Sequence, residues 1–327
     1  MEEYPITARS LEKHYHIDGD QFERQYKEHL SGFKDWDQRE HAEEWMVFEE
    51  NIGEQLSIDE TALSNGELYT IIENKAAHGG KGTIVAMAKG TKAEDVISAL
   101  EHIDETKREM VKEVTMDLSD SMRKIVRMSF PNATRVIDRF HVQKLALEAV
   151  QEIRIKNRWA AIDADNAARA DAKAKGEEYN PHTYDNGDTR RELLARSRYL
   201  LYKSPEKWSE SQKTRAGLLF TEYPDIKAAY GLAQWLRAIF NKRSTKDAAR
   251  LNLARWYSAV DESGIDSFYT LANTIYMRYD EVLNYFNQLS TNANAESFNA
   301  KVKAFRSSLR GVSDINFFLF RLQKIYA

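Results

Sequence analysis

The stretch EQLSIDETALSNGELYTIIENKAAHGGKGTIVAMA, residues 54–88, determines the fold prediction. It contains three short β-favouring runs and two turn-forming segments, namely the runs 54–60, 67–73 and 83–88, separated by Ser64-Asn65-Gly66 and by 78–82. Turn-forming residues between short apolar runs are typical of an antiparallel meander. We therefore predict that residues 54–88 form three neighbouring strands of one sheet.

Strands and helices alternate after this meander. The pattern predicts helices at 93–102 and 119–128, strands at 111–116 and 135–137, and a long helix that starts near His141. This order of elements is that of the RNase H-like fold, an α/β fold in which a mixed sheet is flanked by helices and the first and fourth strands are neighbours. We predict this fold, with a large all-helical insertion before the last helices.

The chain divides by pattern into four parts. The first 50 residues form a small helical region, with short helices at 11–14, 21–29 and 38–48. Residues 51–157 form the first part of the RNase H-like core, residues 158–289 the all-helical insertion, and residues 290–327 the helices that complete the core. The predicted helices of the last two parts are 189–201, 205–220, 227–240, 246–260, 266–285, 293–306 and 313–326, with a polar loop at 173–188 and Arg310-Gly311 between the last two helices.

Three acidic residues occupy informative positions in this scheme. Asp59 lies in the first predicted strand, on the face opposite Leu56 and Ile58, and Asp117 follows the fourth strand. Neighbouring strands would place these two acids side by side at the edge where α/β sheets bind ligands. Glu296 lies on a helix far downstream. Carboxylates arranged in this way can hold a pair of divalent cations, the recurrent arrangement for breaking and rejoining phosphodiester bonds.

Each acid alone also has a structural interpretation. Asp59 could be a solvent-facing strand residue, and Asp117 a turn or capping residue. For Glu296, a capping box is excluded if Thr291 or Asn292 caps the helix, because Glu296 is not three residues further on. Its helix has a polar and an apolar stripe, formed by Asn292, Glu296, Asn299 and Lys303 and by Phe298, Val302 and Phe305. The polar stripe suits a metal site that faces phosphate, or a plain surface.

Asp138 and His141 are further candidates for the surroundings of the site. Asp138 ends the fifth predicted strand and could cap the next helix, with His141 in the first turn. A zinc site is excluded here, because two possible ligands are too few in a chain that lacks cysteine.

Charge is distributed unevenly, although the net charge of −4 argues weakly against a nucleic-acid partner. Basic segments lie at 121–160 and after residue 296, next to members of the acidic triad. They are either solvated helix faces or the walls of a channel for a polyanion. The candidate DNA contacts in these segments are Arg123, Lys124, Arg127, Arg139, Lys144, Lys301, Lys303 and Arg306.

Composition excludes several classes of function. The 327 residues are 42% hydrophobic, which suffices for a sizeable core, and they include no cysteine. Disulfides, cysteine-ligated zinc and a thiol nucleophile are therefore excluded. The first residues contain no apolar signal core and no stretch of 18 apolar residues occurs, so we predict a cytoplasmic, nucleoid-associated protein without a membrane partner.

Three blocks of the sequence together resemble one family. MDLSDSMRKIVRMSFPNATRVIDRFHVQKL (residues 116–145) resembles the second-aspartate block of insertion-sequence DDE transposases of the ISL-three type. NANAESFNAKVKAFRSSLRG (residues 292–311) resembles the final block of that family, and LSIDETALSNGELYTIIENK (residues 56–75) fits its first-aspartate block. A helical insertion before the glutamate is itself a trait of the family.

The resemblance implies that Asp59, Asp117 and Glu296 are catalytic and bind two Mg²⁺ ions, for which Mn²⁺ substitutes. One ion would activate water or a DNA 3′-hydroxyl, and the other would stabilise the leaving oxygen. By the same resemblance Asp138 and His141, with Asn292 and Asn299, would support the site. Five residues of the insertion could clamp displaced bases or stack on them, or could belong to the core instead. They are Arg198, Trp208, Trp235, Arg237 and Trp256.

The chain departs from the family pattern at its start, where many relatives carry a zinc module and a helix-turn-helix. Recognition of the transposon-end inverted repeats would then come from a separately encoded DNA-binding protein, from the insertion, or not occur at all. The expected partners are end DNA, target DNA and a second copy of the chain, as a dimer or larger assembly. Two alternatives stay open: an RNase H-like nuclease or resolvase, and a domesticated DNA-binding protein without catalysis.

Overall fold

A mixed β-sheet organises the first part of the molecule. The computed structural model describes residues 1–64, 67–309, 312 and 314–327. Within these residues the strands are β1 (Trp45–Val47), β2 (Gln55–Ser64), β3 (Glu67–Asn74), β4 (Ile84–Lys89), β5 (Glu113–Met116) and β6 (Thr134–Ile137). The strands are ordered β1-β4-β3-β2-β5-β6 across the sheet. The predicted turns at Ser64-Asn65-Gly66 and Arg310-Gly311, and the predicted helix start at Ser313, include residues that lie outside the described ones.

Strand pairing confirms the predicted topology of an RNase H-like fold. β2 is antiparallel to β3, β3 is antiparallel to β4, and β2 is parallel to β5. β5 is in turn parallel to β6. Because β2 and β5 are the first and fourth strands of the predicted order, they are neighbours as the sequence pattern requires.

The sequence prediction is wrong at the outer edge of the sheet. Residues 38–48 were expected to form a helix, but Trp45–Val47 form strand β1, which pairs antiparallel with β4. The Gln38 side chain binds both backbone groups of Val47, at 2.9 Å to its N–H and 3.0 Å to its carbonyl. These two hydrogen bonds occupy the backbone N–H and carbonyl groups of Val47, and they therefore compete with the hydrogen bonds that a helix would form.

The chain divides into two compact units, residues 1–138 with 290–327, and residues 139–289. The boundary lies at the start of a 37-residue helix, whereas the sequence-based division at residues 157 and 158 falls inside it. The helices of the first unit are α1 (Ala8–Tyr15), α2 (Gly19–Gln25), α3 (Ala93–Leu100), α4 (Glu105–Glu109), α5 (Asp120–Ser129) and, after the second unit, α13 (Ala293–Ser308) and α14 (Ile315–Tyr326).

One face of the sheet is covered by α13, by α14 and by side chains of the N-terminal region that include Phe33 and Trp36. Side chains alternate along a strand, so Asp59 shares its face with Tyr69 and Ile71 of β3, whereas Leu56 and Ile58 point the other way. The apolar stripe of α13 that the sequence indicated is buried against this face. The buried cluster includes Met46, Leu63, Tyr69, Ile71, Met87, Phe298, Val302, Phe305, Phe318 and Phe320. Each such side chain contributes roughly 1.5–3 kcal/mol on burial, which fixes α13 on the sheet.

The second unit is helical throughout its described elements. These are α6 (Arg139–Lys175), α7 (Arg190–Arg196), α8 (Glu210–Glu222), α9 (Pro224–Asn241), α10 (Lys246–Ser263), α11 (Asp266–Met277) and α12 (Tyr279–Gln288). The predicted single helix at 266–285 is two helices, because Arg278 leaves helical geometry at φ −120° and ψ 23°. Among the described residues, no helix combines the length and apolar character needed to cross a membrane.

Candidate active site

Asp59 and Asp117 lie side by side on neighbouring strands. The last paired residues of β2 and β5 are Ser57 and Thr115. Asp59 lies two residues after Ser57, and Asp117 lies two residues after Thr115, just beyond β5. Both side chains therefore lie on the same face of the sheet, at the same end of this strand pair. Both are partly buried. The juxtaposition that was predicted from strand order is therefore present in the structure.

Asp117 also takes part in a turn. Its Oδ1 accepts a hydrogen bond from the Ser119 N–H at 2.7 Å, and the Ser119 side chain caps α5 by accepting from the Met122 N–H. The structural role considered for Asp117 is thus real and involves its Oδ1 atom. The turn fixes the direction of the carboxylate, which is compatible with a role in binding.

Helix α13 contacts Asp59 directly. Asn299 donates from Nδ2 to Asp59 Oδ2 at 2.8 Å, while the Glu60 N–H donates to Oδ1 at 2.9 Å. Asn292 donates from Nδ2 to the Ile58 carbonyl at 3.3 Å. Two amides of the predicted polar stripe therefore hold the helix against the segment of β2 that carries Asp59.

Glu296 lies on this same helix, one turn before Asn299. Asn292 precedes the first helical residue and its side chain makes no capping bond, and Glu296 is the fourth helical residue. The capping-box interpretation is therefore excluded, as predicted. Glu296 is exposed. Its position in the first turn places the carboxylate near the positive end of the helix dipole, which stabilises negative charge.

Three residues near Asp59 have buried oxygen atoms without hydrogen-bond donors among the described residues. Asn299 Oδ1 and Asn292 Oδ1 are buried and have no partner among the described residues, and Glu73 Oε1 is in the same condition. Unsatisfied buried acceptors are costly and suit a hard cation, which takes carboxylate and amide oxygen ligands. The donor chemistry therefore fits Mg²⁺. Among the described residues, no three histidine, aspartate or glutamate side chains are grouped closely enough to hold one metal ion.

Asp138 extends the row of acids to a third strand. Met116 of β5 pairs with Ile137 of β6, and the Asp138 N–H donates to the Met116 carbonyl at 2.8 Å. Asp138 is completely buried and immediately precedes α6. Asp59 within β2, Asp117 just after β5 and Asp138 just after β6 thus lie on or next to three adjacent strands. His141 lies in the first turn of α6, in the second unit, and is partly exposed.

Two buried charged residues near this row escaped the sequence analysis. Glu73 is 1% exposed, and burial together with the charge of Asp59 raises the pKa of its carboxyl to about 8. Lys75 contacts Thr115 Oγ1 and lies 3.6 Å from Glu113 Oε1. Burial lowers the pKa of Lys75, against the opposing charges of Glu113 and Asp138. The sequence gives a signal for Glu73 alone. It lies two residues after Ile71 in β3, and both side chains are on the same face of the sheet as Asp59 of β2.

Comparison with known proteins identifies the family. The model of a family described as "Transposase", the DDE transposases of the ISL-three type, matches residues 56–322. The chain belongs to this transposase family. The match includes all three predicted acids and the whole of the second unit.

Relatives of this transposase-family chain include curated bacterial proteins. It is 29% identical over 163 residues to "Transposase for insertion sequence element IS1557" of two Mycobacterium tuberculosis strains, which covers 50% of this chain and 36% of each relative. It is 21% identical over 276 residues to "Transposase for insertion sequence element IS1001" of Bordetella parapertussis, which covers 84% of this chain and 61% of the relative. The chain thus spans less than two thirds of the length of these relatives. No solved structure matches it significantly.

The predicted DNA contacts of the first unit lie in varied surroundings. Lys301 donates from Nζ to the Gly79 carbonyl at 2.7 Å, and Lys124 pairs with Glu94. Arg127 and Lys303 are exposed, whereas Arg123 and Arg306 are partly buried. The contacts of Lys301 and Lys124 do not prevent either side chain from binding phosphate. The role of all six residues in DNA binding stays a prediction.

In the second unit, Arg139 donates to the Asn241 side chain at 3.2 Å, and Lys144 lies 4.0 Å from Glu148. Arg198 is exposed. The contacts of these three side chains leave their predicted role in DNA binding untested.

The tryptophans of the second unit differ in their access to a ligand. The suggestion of base stacking is wrong for Trp256, which is completely buried and donates from its indole to the Leu232 carbonyl at 2.9 Å. Trp208 is partly buried, stacks on Tyr230 and donates to the Leu200 carbonyl. Trp235 is 38% exposed. For Trp208 and Trp235 a contact with DNA stays a prediction.

Proposed function

We propose that this chain is the catalytic part of an insertion-sequence transposase, which cleaves DNA at the ends of the element and joins those ends to target DNA. Membership of the transposase family supports the proposal. The observation that carries it is the parallel pairing of β2 and β5, which sets Asp59 beside Asp117 below the helix that bears Glu296. Acidic side chains at the end of an α/β sheet are where ligands of such sheets bind.

Asp59, Asp117 and Glu296 would hold two Mg²⁺ ions, for which Mn²⁺ substitutes. When bound, these ions supply activation of the attacking hydroxyl and stabilisation of the leaving 3′-oxygen. The chain itself orients the carboxylates. Asn299 and the Glu60 N–H hold the two oxygens of Asp59, and the Ser119 N–H holds one oxygen of Asp117. Such outer contacts fix the rotamers of ligating carboxylates.

The proposed partners are the inverted repeats at the transposon ends, target DNA and a second copy of the chain, with end recognition provided by the second unit or by a separate DNA-binding protein. Asp138, Asn292 and Asn299 support the acids in this proposal, and His141 contacts the strand that is cut. The basic residues next to the acids bind the DNA backbone.

The test is strand transfer on DNA that carries the inverted repeats flanking the gene. Asp59→Asn, Asp117→Asn and Glu296→Gln should each lower the rate by more than the roughly 10–100-fold that follows loss of an outer-shell contact. Asp120→Asn is the matched control, because it removes an exposed acid three residues from Asp117 and should leave the rate unchanged.

Two outcomes would contradict the assignment. If the three variants transfer strands at the rate of the unmodified chain, these acids are not catalytic. If cleavage persists in EDTA, the two-metal mechanism is wrong. Cleavage of end DNA without joining would instead indicate the nuclease alternative, and DNA binding without either activity would indicate the domesticated binder.

A further inference from the structure

Three arginines of the second unit are close together around the turn that follows α7. Arg154 on α6 is 5% exposed, and it donates to Gln151 Oε1 at 2.6 Å and to the Leu194 carbonyl at 2.9 Å. Gln151 donates in turn to the Arg198 carbonyl at 3.2 Å. Arg158 lies one helical turn beyond Arg154, on the same side of α6. The buried arginine thus ties the Arg198 segment to α6.

No carboxylate of the described residues neutralises the positive charge of this arginine cluster (Arg154, Arg158 and Arg198). Among the described residues, none of the three forms an ion pair with a carboxylate. Burial and the like charges of Arg158 and Arg198 lower the pKa of Arg154. Since a buried charge is ordinarily paired, three clustered guanidinium groups without an acid indicate a site for an external anion.

An unsatisfied donor indicates the same. Arg158 Nε is buried and has no hydrogen-bond acceptor among the described residues. Leaving such a donor unpaired is costly, and the cost disappears when a ligand oxygen accepts from it. The planar guanidinium fork matches the paired oxygens of a phosphate group.

Exposed aromatic residues adjoin two of these arginines in the chain. Trp159, next to Arg158, is 59% exposed, and Tyr199, next to Arg198, is 69% exposed. The Arg198 guanidinium lies 5.5 Å from the centre of the Tyr199 ring. Large apolar rings beside cations are the composition of surfaces that bind single-stranded nucleic acid, because the cations contact phosphates and the rings stack on unpaired bases.

We propose that Arg154, Arg158 and Arg198 form a phosphate-binding site for a DNA strand with unpaired bases, and that Trp159 and Tyr199 stack on those bases. The proposal rests on the proposed function, since it supplies the DNA contact that the transposition reaction needs outside the acidic site. Arg154 holds the backbone next to Arg198 against α6 through Gln151 and the Leu194 carbonyl, and it adds positive charge to the site. Arg158 and Arg198 contact the phosphates.

The experiment measures binding of a short labelled oligonucleotide, single-stranded or duplex, by fluorescence anisotropy across a range of salt concentrations. The test variant is Arg158→Gln with Arg198→Gln. The matched control is Arg169→Gln with Arg250→Gln, which removes two exposed arginines of the same unit that are paired with acids. Thermal unfolding of both double variants verifies that each one folds.

The test variant should bind single strands at least about tenfold more weakly. The slope of log K against log salt should become less steep by about 1.4, since each lost phosphate contact removes about 0.7 from its magnitude for single strands. The control should keep the slope of the unmodified chain. Trp159→Ala should weaken single-strand binding by on the order of tenfold with the slope unchanged, because stacking is not ionic.

Equal affinity and slope in the test and control variants would overturn the proposal. A duplex preference that both arginine substitutions leave intact would also overturn it. This failure is distinguishable from failure of the proposed function. If the acid variants lose strand transfer while the arginine variants bind normally, only the phosphate site is wrong. If the arginine variants lose binding while the acid variants keep strand transfer, only the catalytic assignment is wrong.

Discussion

Replacement of Glu73 by glutamine should change how the stability of the sheet depends on pH. Glu73 is 1% exposed, one of its oxygens has no hydrogen-bond donor among the described residues, and burial raises its pKa to about 8 from an ordinary value of 4.5. Because the pKa is raised in the folded chain, the folded state retains a proton that the unfolded state releases between these two values. The stability that the neutral carboxyl provides is therefore complete below about pH 4.5 and is lost as pH rises towards 8.

The magnitude follows from the difference between the two pKa values, about 3.5, at about 1.4 kcal/mol for each unit. The unmodified chain should lose on the order of 5 kcal/mol between pH 4.5 and pH 8 through this residue alone. Glu73→Gln keeps the shape of the neutral side chain and cannot ionise. The variant should equal the unmodified chain near pH 4.5 and become progressively more stable above it.

The assay is urea-induced unfolding in EDTA at several pH values, with the difference between variant and unmodified chain as the measured quantity. Glu101→Gln, which replaces an exposed glutamate at the end of α3, is the control and should give a difference that does not vary with pH. A Glu73→Gln difference that is equally flat would refute the argument that Glu73 is held neutral. Asp59→Asn should lower the pH at which the loss of stability ends, because the charge of Asp59 is one cause of the raised pKa of Glu73.

Two further predictions concern the loop after β3 and its contacts. Lys75→Met should destabilise the first unit by about 3–5 kcal/mol, since it leaves Glu113 buried without its cation, and adding Glu113→Gln should recover much of the loss in urea unfolding; no recovery would show that the pair is not coupled. Gly79→Ala and Gly32→Ala should each cost about 1–2 kcal/mol in thermal unfolding, because both glycines have positive φ. The new Cβ at Gly79 would lie 2.9 Å from Lys301 Nζ, the end of a flexible side chain that can move aside, so the two costs should be similar. A cost at Gly79 that clearly exceeds the cost at Gly32 would contradict this reasoning.

The strand order was predictable because it depends on local signals. Turn residues and short apolar runs mark β2, β3 and β4, and the parallel partners follow from general rules of chain connection. Strand β1 could not be predicted in the same way. Its pairing with β4 is a contact between distant segments, and Trp45–Val47 carry no turn signal that separates them from the preceding polar residues.

The acids of the candidate site were predictable for a similar reason, since strand order placed Asp59 beside Asp117 and helix spacing grouped Asn292, Glu296 and Asn299. Glu73 and Lys75 were not, because a charged residue in a strand is ordinarily exposed. Their neighbours come from other strands, since Glu73 lies near Asp59, and Lys75 contacts Thr115 and lies near Glu113. The environment of a site depends on packing between distant segments, which pattern within one segment does not encode.

The contact between Asn299 and Asp59 joins residues that are 240 positions apart in the chain. During synthesis the ribosome therefore completes all the strands and the entire helical unit before it makes α13. Until then the sheet presents Asp59 and Asp117 without Glu296, and the apolar face around Tyr69 and Ile71 is not yet covered by α13. An interrupted product would lack the third acid and would expose a surface that chaperones and proteases recognise. The order of synthesis thus delays the assembly of the three acids of the candidate site until translation has passed residue 299.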